Sequence, residues 1–128
     1  MDEILAASRR ASPEECCGLI EGERDGGDLR ALALHETKNL ASDRAREFLI
    51  DPEARFRLTR ALRGTGREII GCFHSHPDGE ARPSATDRER ASEDRFLWLI
   101  AAGSELAAFI YREQQEDFEP AVITGITG

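Results

Sequence analysis

The sequence predicts a mixed α/β fold, a mixed β-sheet flanked by helices, on three observations. Two hairpin patterns, at 17–35 and 96–112, are interleaved with segments that carry helix-start signals. A further apolar run, EIIGCF at 68–73, stands apart from both hairpins and leads into a cluster of polar residues. Helices and strands alternate without the regular βαβ repeat of a purely parallel sheet. At 128 residues the chain reads as one domain, 1–128, long enough to bury roughly two thirds of its unfolded surface.

Residues 2–11 carry Asp2 as an N-cap and Ile4, Leu5 and Ala11 as apolar contacts, and Pro13 stops this first helix. CGLIEG at 17–22 reads as a strand, and ERDGGD is a glycine-rich turn into LRALALH at 29–35, where Leu32 and Leu34 alternate with alanines. Residues 36–46 show no period and are mainly polar, which predicts a surface loop before the short apolar piece EFLI. Asp51-Pro52-Glu53 then gives an N-cap, a proline at the first helical position and an acid at the positive end of the dipole, and Gly64 closes that helix.

On this second helix Ala54, Leu58, Ala61 and Leu62 share one face. Phe56 falls on the other side near Arg60 and Arg63, and is expected beneath the first helix or a loop; left bare, it is a patch for a partner. FLWLIAA at 96–102 is a continuous apolar run suited to a central strand, joined across Gly103-Ser104 to ELAAFIYR at 105–112. After the polar EQQED, FEPAVITG at 118–125 reads as a last strand, which Pro120 places at an edge.

A formal net charge of -8 opposes attraction to phosphate backbones and anionic membranes, so neither nucleic acid nor a membrane is expected as a partner. No apolar run approaches a membrane span, and MDEILAASRR lacks an apolar signal core, so the chain reads as cytoplasmic. Three cysteines, two of them adjacent, make no disulfide framework. Cys16 and Cys17 point to opposite faces of a strand and do not chelate together, while Cys72 shares a face with His74. His35 reads as structural, and nothing in the residues sets an oligomeric state.

The chemistry concentrates in GCFHSHPDGEARPSATD, 71–87. Strand side chains alternate, so His74 and His76 leave the strand end on one side with Ser75 turned away between them. Pro77 ends the pairing and Asp78-Gly79 turns the chain. Ser84 then stands at the N-cap of a helix-favouring segment, with Asp87 three places on and DRERASED continuing it. Taken singly, these are two polar side chains at a strand end and a helix cap. Together, two neutral imidazoles and a carboxylate are a ligand set for catalytic zinc, which takes three protein ligands and keeps a fourth position for water.

His74, His76, Ser84 and Asp87 match the signature of the JAMM (MPN+) zinc metallopeptidases without a gap: His-x-His, seven residues, Ser, two residues, Asp. ECCG at 15–18 resembles that family's upstream Glu-x-Cys-Gly segment and singles out Glu15 over its neighbour Glu14. The resemblance covers essentially the whole chain and implies a deaminase-like mixed α/β fold of minimal size. It implies Zn(2+) held by His74, His76 and Asp87, Glu15 as general acid/base and Ser84 as donor to the oxyanion. The alternative for Glu15 is an exposed acid after Pro13.

Members of that family that cut ubiquitin chains carry insertions around the site, and this chain has no room for large ones. Minimal bacterial members resemble peptidases that act after the Gly-Gly tail of a ubiquitin-like or sulfur-carrier protein, so such a tail is the expected substrate, with contacts to the 36–50 segment. A serine hydrolase is disfavoured because no glycine-flanked nucleophile elbow occurs. A base deaminase needs His-x-Glu and Pro-Cys-x-x-Cys, and neither occurs. A catalytically silent interaction module of the same fold is the remaining alternative.

Overall fold

The apolar runs pair into one six-stranded mixed sheet in a computed structural model that describes residues 2–122. The elements in order are α1 (Asp2–Ala11), β1 (Cys17–Asp25), β2 (Asp28–Thr37), α2 (Pro52–Leu62), β3 (Glu68–Ser75), α3 (Ala85–Arg90), β4 (Leu97–Ala102), β5 (Glu105–Arg112) and β6 (Asp117–Pro120). The strands lie in the order β2-β1-β3-β4-β5-β6. β3 and β4 are parallel and the other neighbours antiparallel. Parallel neighbours need a crossover, and the 76–96 connection that makes it carries α3.

Alternation along β4 divides the core into two layers. Leu97, Leu99 and Ala101 pack with Ile4 and Ala7 of α1, whereas Trp98 clusters with Cys72, Phe96 and Tyr111 under Phe48 and Ile50. Each fully buried leucine or isoleucine among these stabilises the fold by roughly 1.5–3 kcal/mol. β3 would alternate strictly as well, but its register with β1 slips, so that Ile20 faces Gly71 and Glu21 faces Ile69. This bulge puts Ile70 and Phe73 on the α1 side and Ile69 and Cys72 on the Trp98 side. Gly71 sits at the slip, where a Cβ would collide with the Leu97 carbonyl of the neighbouring strand.

Several expectations need correction. Phe56 is 59% exposed, because α1 covers the opposite layer and the 39–50 loop turns toward His74; the Arg60 guanidinium lies over its ring, 5.7 Å away. On the inner face of α2, Ala61 is exposed and the half-buried positions are Ala54, Arg55, Leu58 and Leu62. Asp2 lies within α1 rather than capping it. The helix expected through DRERASED stops at Arg90, since tertiary contacts claim the next residues: Ala91 joins the Trp98 cluster and Glu93 pairs with Arg55 at 2.6 Å. β6 ends at Pro120, so Ala121 and Val122, expected within the last strand, lie beyond it, and 123–125 lie outside the described residues.

Buried Glu21 of β1 accepts from Arg67 at 2.7 Å and pairs with His35 at 2.8 Å. The Arg67 bond, helped by His35 and outweighing burial, holds its pKa below the ordinary value of 4.5. A depressed carboxylate contributes stability that is complete above the unfolded pKa and lost as pH falls through the folded one. Glu21→Gln should therefore cost on the order of 1 kcal/mol near pH 7 and less near pH 3, read from urea unfolding at both. An equal cost at both would show that the charge contributes nothing.

Candidate functional site

β3 delivers both histidines to the Trp98 side of the sheet. His74 lies opposite Cys17 on β1 and beside Ile100 on β4, and the His76 amide donates to the Ala101 carbonyl at 2.7 Å, extending the pairing past the strand end. Ser75 points to the other side, where its Oγ accepts from the Cys16 amide at 2.8 Å while its own amide donates to the Cys16 carbonyl. This double tie holds the start of β1 against the histidines. With Cys17 opposite His74, the antiparallel register carries Glu15, two residues earlier, to the position facing His76. Glu15 is 5% exposed; Glu14 points outward and pairs with Arg44.

The second half of the site is a helix start. Ser84 Oγ accepts from the Asp87 amide at 3.1 Å, and the Ser84 amide donates to Asp87 Oδ2 at 2.9 Å, a reciprocal capping box. The box fixes the Asp87 carboxylate, which is buried, and turns Oδ2 toward His74 Nε2 at 3.1 Å and His76 Nε2 at 3.2 Å. The two Nε2 atoms are themselves 2.9 Å apart.

Three electron-rich atoms so close leave room for few protons. A tetrahedral ion with bonds of about 2.0–2.1 Å sets its ligand atoms roughly 3.3 Å apart, and this triangle is within a few tenths of an ångström of that. His76 Nδ1 donates to the Glu80 carbonyl at 2.8 Å, which directs its Nε2 lone pair inward. His74 Nδ1 is buried with no hydrogen-bond partner among the described residues, so no second bond fixes its tautomer.

The electrostatics separate the two carboxylates. Burial alone would raise the Asp87 pKa, but the His74 and His76 imidazoles against it outweigh that and hold the group far below the usual carboxylate range. Burial pushes Glu15 up to about 7, with His76 opposing. Burial lowers the pKa of His74, whereas at His76 the Asp87 and Glu80 bonds overcome burial and raise it. Glu15, His74 and His76 offer ligand atoms that all lie within 4.8 Å of one another, so this buried cluster could hold a metal ion.

Some of the site is silent in the sequence. Phe48, from the short apolar piece after the polar loop, stacks on His74 with ring centroids 4.2 Å apart, and Trp98 packs edge-on against both rings. Nothing local in EFLI marks that partnership; the only signal is the absence of any other role for an aromatic there. Cys72 lines a pocket of about 340 Å³ with Phe48, Ile50 and Trp98. Burial raises the thiol pKa of all three cysteines, to about 11 at Cys17, so none is a ready thiolate. His35 bonds Glu21 and no residue of this cluster.

A family model, Prokaryotic homologs of the JAB domain, matches residues 1–117. Curated relatives include a desampylase of Haloferax volcanii, 34% identical over 79% of this chain and 74% of its own length. A probable TtuB-protein conjugate cleaving protease of Thermus thermophilus is 30% identical over 91% and 74%. A CysO-cysteine peptidase of Mycobacterium tuberculosis is 26% identical over 80% and 68%. Among solved structures, a Desulfitobacterium hafniense protein aligns at TM-score 0.81 with 32% identity, covering 98% of this chain and 89% of that one. A JAB1/MPN domain protein of Archaeoglobus fulgidus, at TM-score 0.56, 18% identity and coverage of 96% and 92%, shares the fold. With the model matched from α1 into β6, the chain belongs to the family of prokaryotic JAB-domain proteins.

Proposed function

We propose that this chain is a zinc metallopeptidase that hydrolyses the amide or isopeptide bond after the C-terminal Gly-Gly of a ubiquitin-like or sulfur-carrier protein. The observation that carries the reading is the buried triangle of His74, His76 and Asp87 with a second, chemically distinct carboxylate beside it. Asp87 is the third ligand because its oxygen is close to both Nε2 atoms and stays anionic. Glu15, whose pKa burial pushes up to about 7, is left to move protons. Bound there, zinc supplies Lewis acidity that makes water a nucleophile near neutral pH.

Glu15 takes the proton of the attacking water as the carbon–oxygen bond forms, and returns it to the nitrogen as the carbon–nitrogen bond breaks. Ser84 Oγ accepts in its capping bond, which leaves its hydroxyl hydrogen free for the oxygen of the attacked carbonyl. Relatives named for desampylation, for a TtuB-protein conjugate and for a CysO-cysteine linkage support a carrier tail as the substrate. Leu40 and Leu49, 46% and 48% exposed where the ends of the 39–50 loop pair, give an apolar contact beside the site. Phe56 with Arg60 and Arg63 gives another on α2, and the carrier's globular surface is assigned to both. Two glycines, without side chains, let the tail approach the buried site in an extended conformation that bulkier residues would hinder.

The test is a matched pair of fusions in which a ubiquitin-like carrier ends in Gly-Gly or Ala-Ala before the same leaving amino acid. Cleavage of the Gly-Gly fusion alone is expected. Equal cleavage of both would favour a general small peptidase, and cleavage of neither with zinc bound would make the silent interaction module the better reading. Glu15→Gln should keep the fold and the metal but lose about 10²- to 10⁴-fold in kcat, whereas Glu14→Gln should change little. The reverse pattern would move the acid/base role to the neighbouring glutamate.

A further inference from the structure

Glu15 precedes β1, so no sheet ladder satisfies its backbone, and the 39–50 loop does so instead. The Glu15 amide donates to the Arg44 carbonyl at 2.7 Å, and the Glu15 carbonyl accepts from Asn39 Nδ2 at 3.0 Å. The Asn39 side chain does more than this. Nδ2 also donates to the Glu47 carbonyl, and Oδ1 accepts from the Ala41 and Leu49 amides, each at 3.0 Å. Two donors and two acceptors on one amide are the most such a group offers besides further weak lone-pair contacts, and all of them are engaged.

The two ends of that loop close on each other through the Asn39–Ile50 bridge, and between them stands Phe48, stacked on His74. From the far side Arg90 of α3, the helix that carries Asp87, donates to Glu47 Oε2 at 2.9 Å and to the Phe48 carbonyl at 3.4 Å. One side chain, Asn39, therefore connects the backbone of Glu15 to the bonds that seat Phe48. We infer that Asn39 is a positioning residue that sets Glu15 and the Phe48–His74 stack together, so that the base and the imidazole keep their relative places. The inference rests on the peptidase reading for its catalytic consequence, and on the hydrogen bonds alone for the clamp.

Asn39→Asp tests it most sharply, because it keeps the size and both acceptors but turns a carboxylate toward the Glu15 and Glu47 carbonyls. Asn39→Ser removes the amide, with both of its N–H donors and its reach, without adding charge, and takes its place if the aspartate variant does not fold. Arg9→Ala is the control, an exposed position on α1 at the opposite layer of the sheet. Trp98 is the only tryptophan, is 6% exposed and packs against Phe48, so acrylamide quenching of its fluorescence reports whether the loop has lifted.

For the zinc-loaded Asn39 variants the expected results are a kcat lower by about 10- to 100-fold on the Gly-Gly fusion, a KM within about threefold, and retained zinc. Trp98 quenching should rise, and Arg9→Ala should match the wild type in all of these. Full kcat in a folded variant with raised quenching would show a structural role only and overturn the inference. Unchanged quenching would show that the loop does not depend on Asn39 and overturn it too. Failure of the wild type to cleave the fusion would instead count against the peptidase reading, and the quenching measurement would still decide the clamp.

Discussion

The structure depends on holding two imidazole nitrogens and a carboxylate oxygen within 2.9–3.2 Å of one another inside the protein. Such atoms repel when all present lone pairs, and burial raises the cost by removing water. Their convergence is enforced from three directions. β3 is wedged between β1 and β4 and brings the histidines, the capping box of α3 brings Asp87, and the Ser75–Cys16 tie brings Glu15 alongside. A cation among the three atoms turns the repulsion into attraction, which is why the donor set is better explained by a metal than by mutual hydrogen bonding.

The same geometry divides labour between two acids that the sequence leaves nearly alike. Asp87 accepts from the Ser84 amide and lies against both imidazoles, which favour its charged form, and so remains an anion. Glu15 is desolvated with fewer bonds to its charged form, and so binds a proton near neutral pH. Divergent environments of this kind are how paired carboxylates come to serve different chemical roles. The backbone of Glu15 is held by a loop, so the quality of that loop's hydrogen bonds bears directly on where the base we propose is placed.

Much of this is legible in the sequence because it is local. His-x-His at the end of an apolar run, Ser84 three residues before Asp87, and the glycine-marked hairpins each follow from strand alternation, helix capping or turn chemistry, and the mixed sheet forms from those runs. The register that brings Glu15 to His76 is not local, and only resemblance to a family points to it. Phe48 and Arg90 are illegible because their partners lie far along the chain, and Asn39 because a polar stretch without a period does not show which of its side chains gathers the loop and reaches back to Glu15. Phe56 defies expectation for a related reason: the helix pattern shows which side an aromatic occupies, but not that α1 packs on the opposite layer. The bulge at Ile70 likewise depends on Gly71 meeting Leu97 of the next strand.

Metal content of the purified protein bears most directly on the central claim, that His74, His76 and Asp87 form a zinc site. Elemental analysis of protein prepared without added metal should find about one zinc per chain in the wild type and a large deficit in Asp87→Ala, with the fold retained. The absence of any transition metal, with no zinc uptake on titration, would contradict the account. So would an Asp87→Ala protein that keeps its full complement, since Asp87 would then be a helix cap and nothing more.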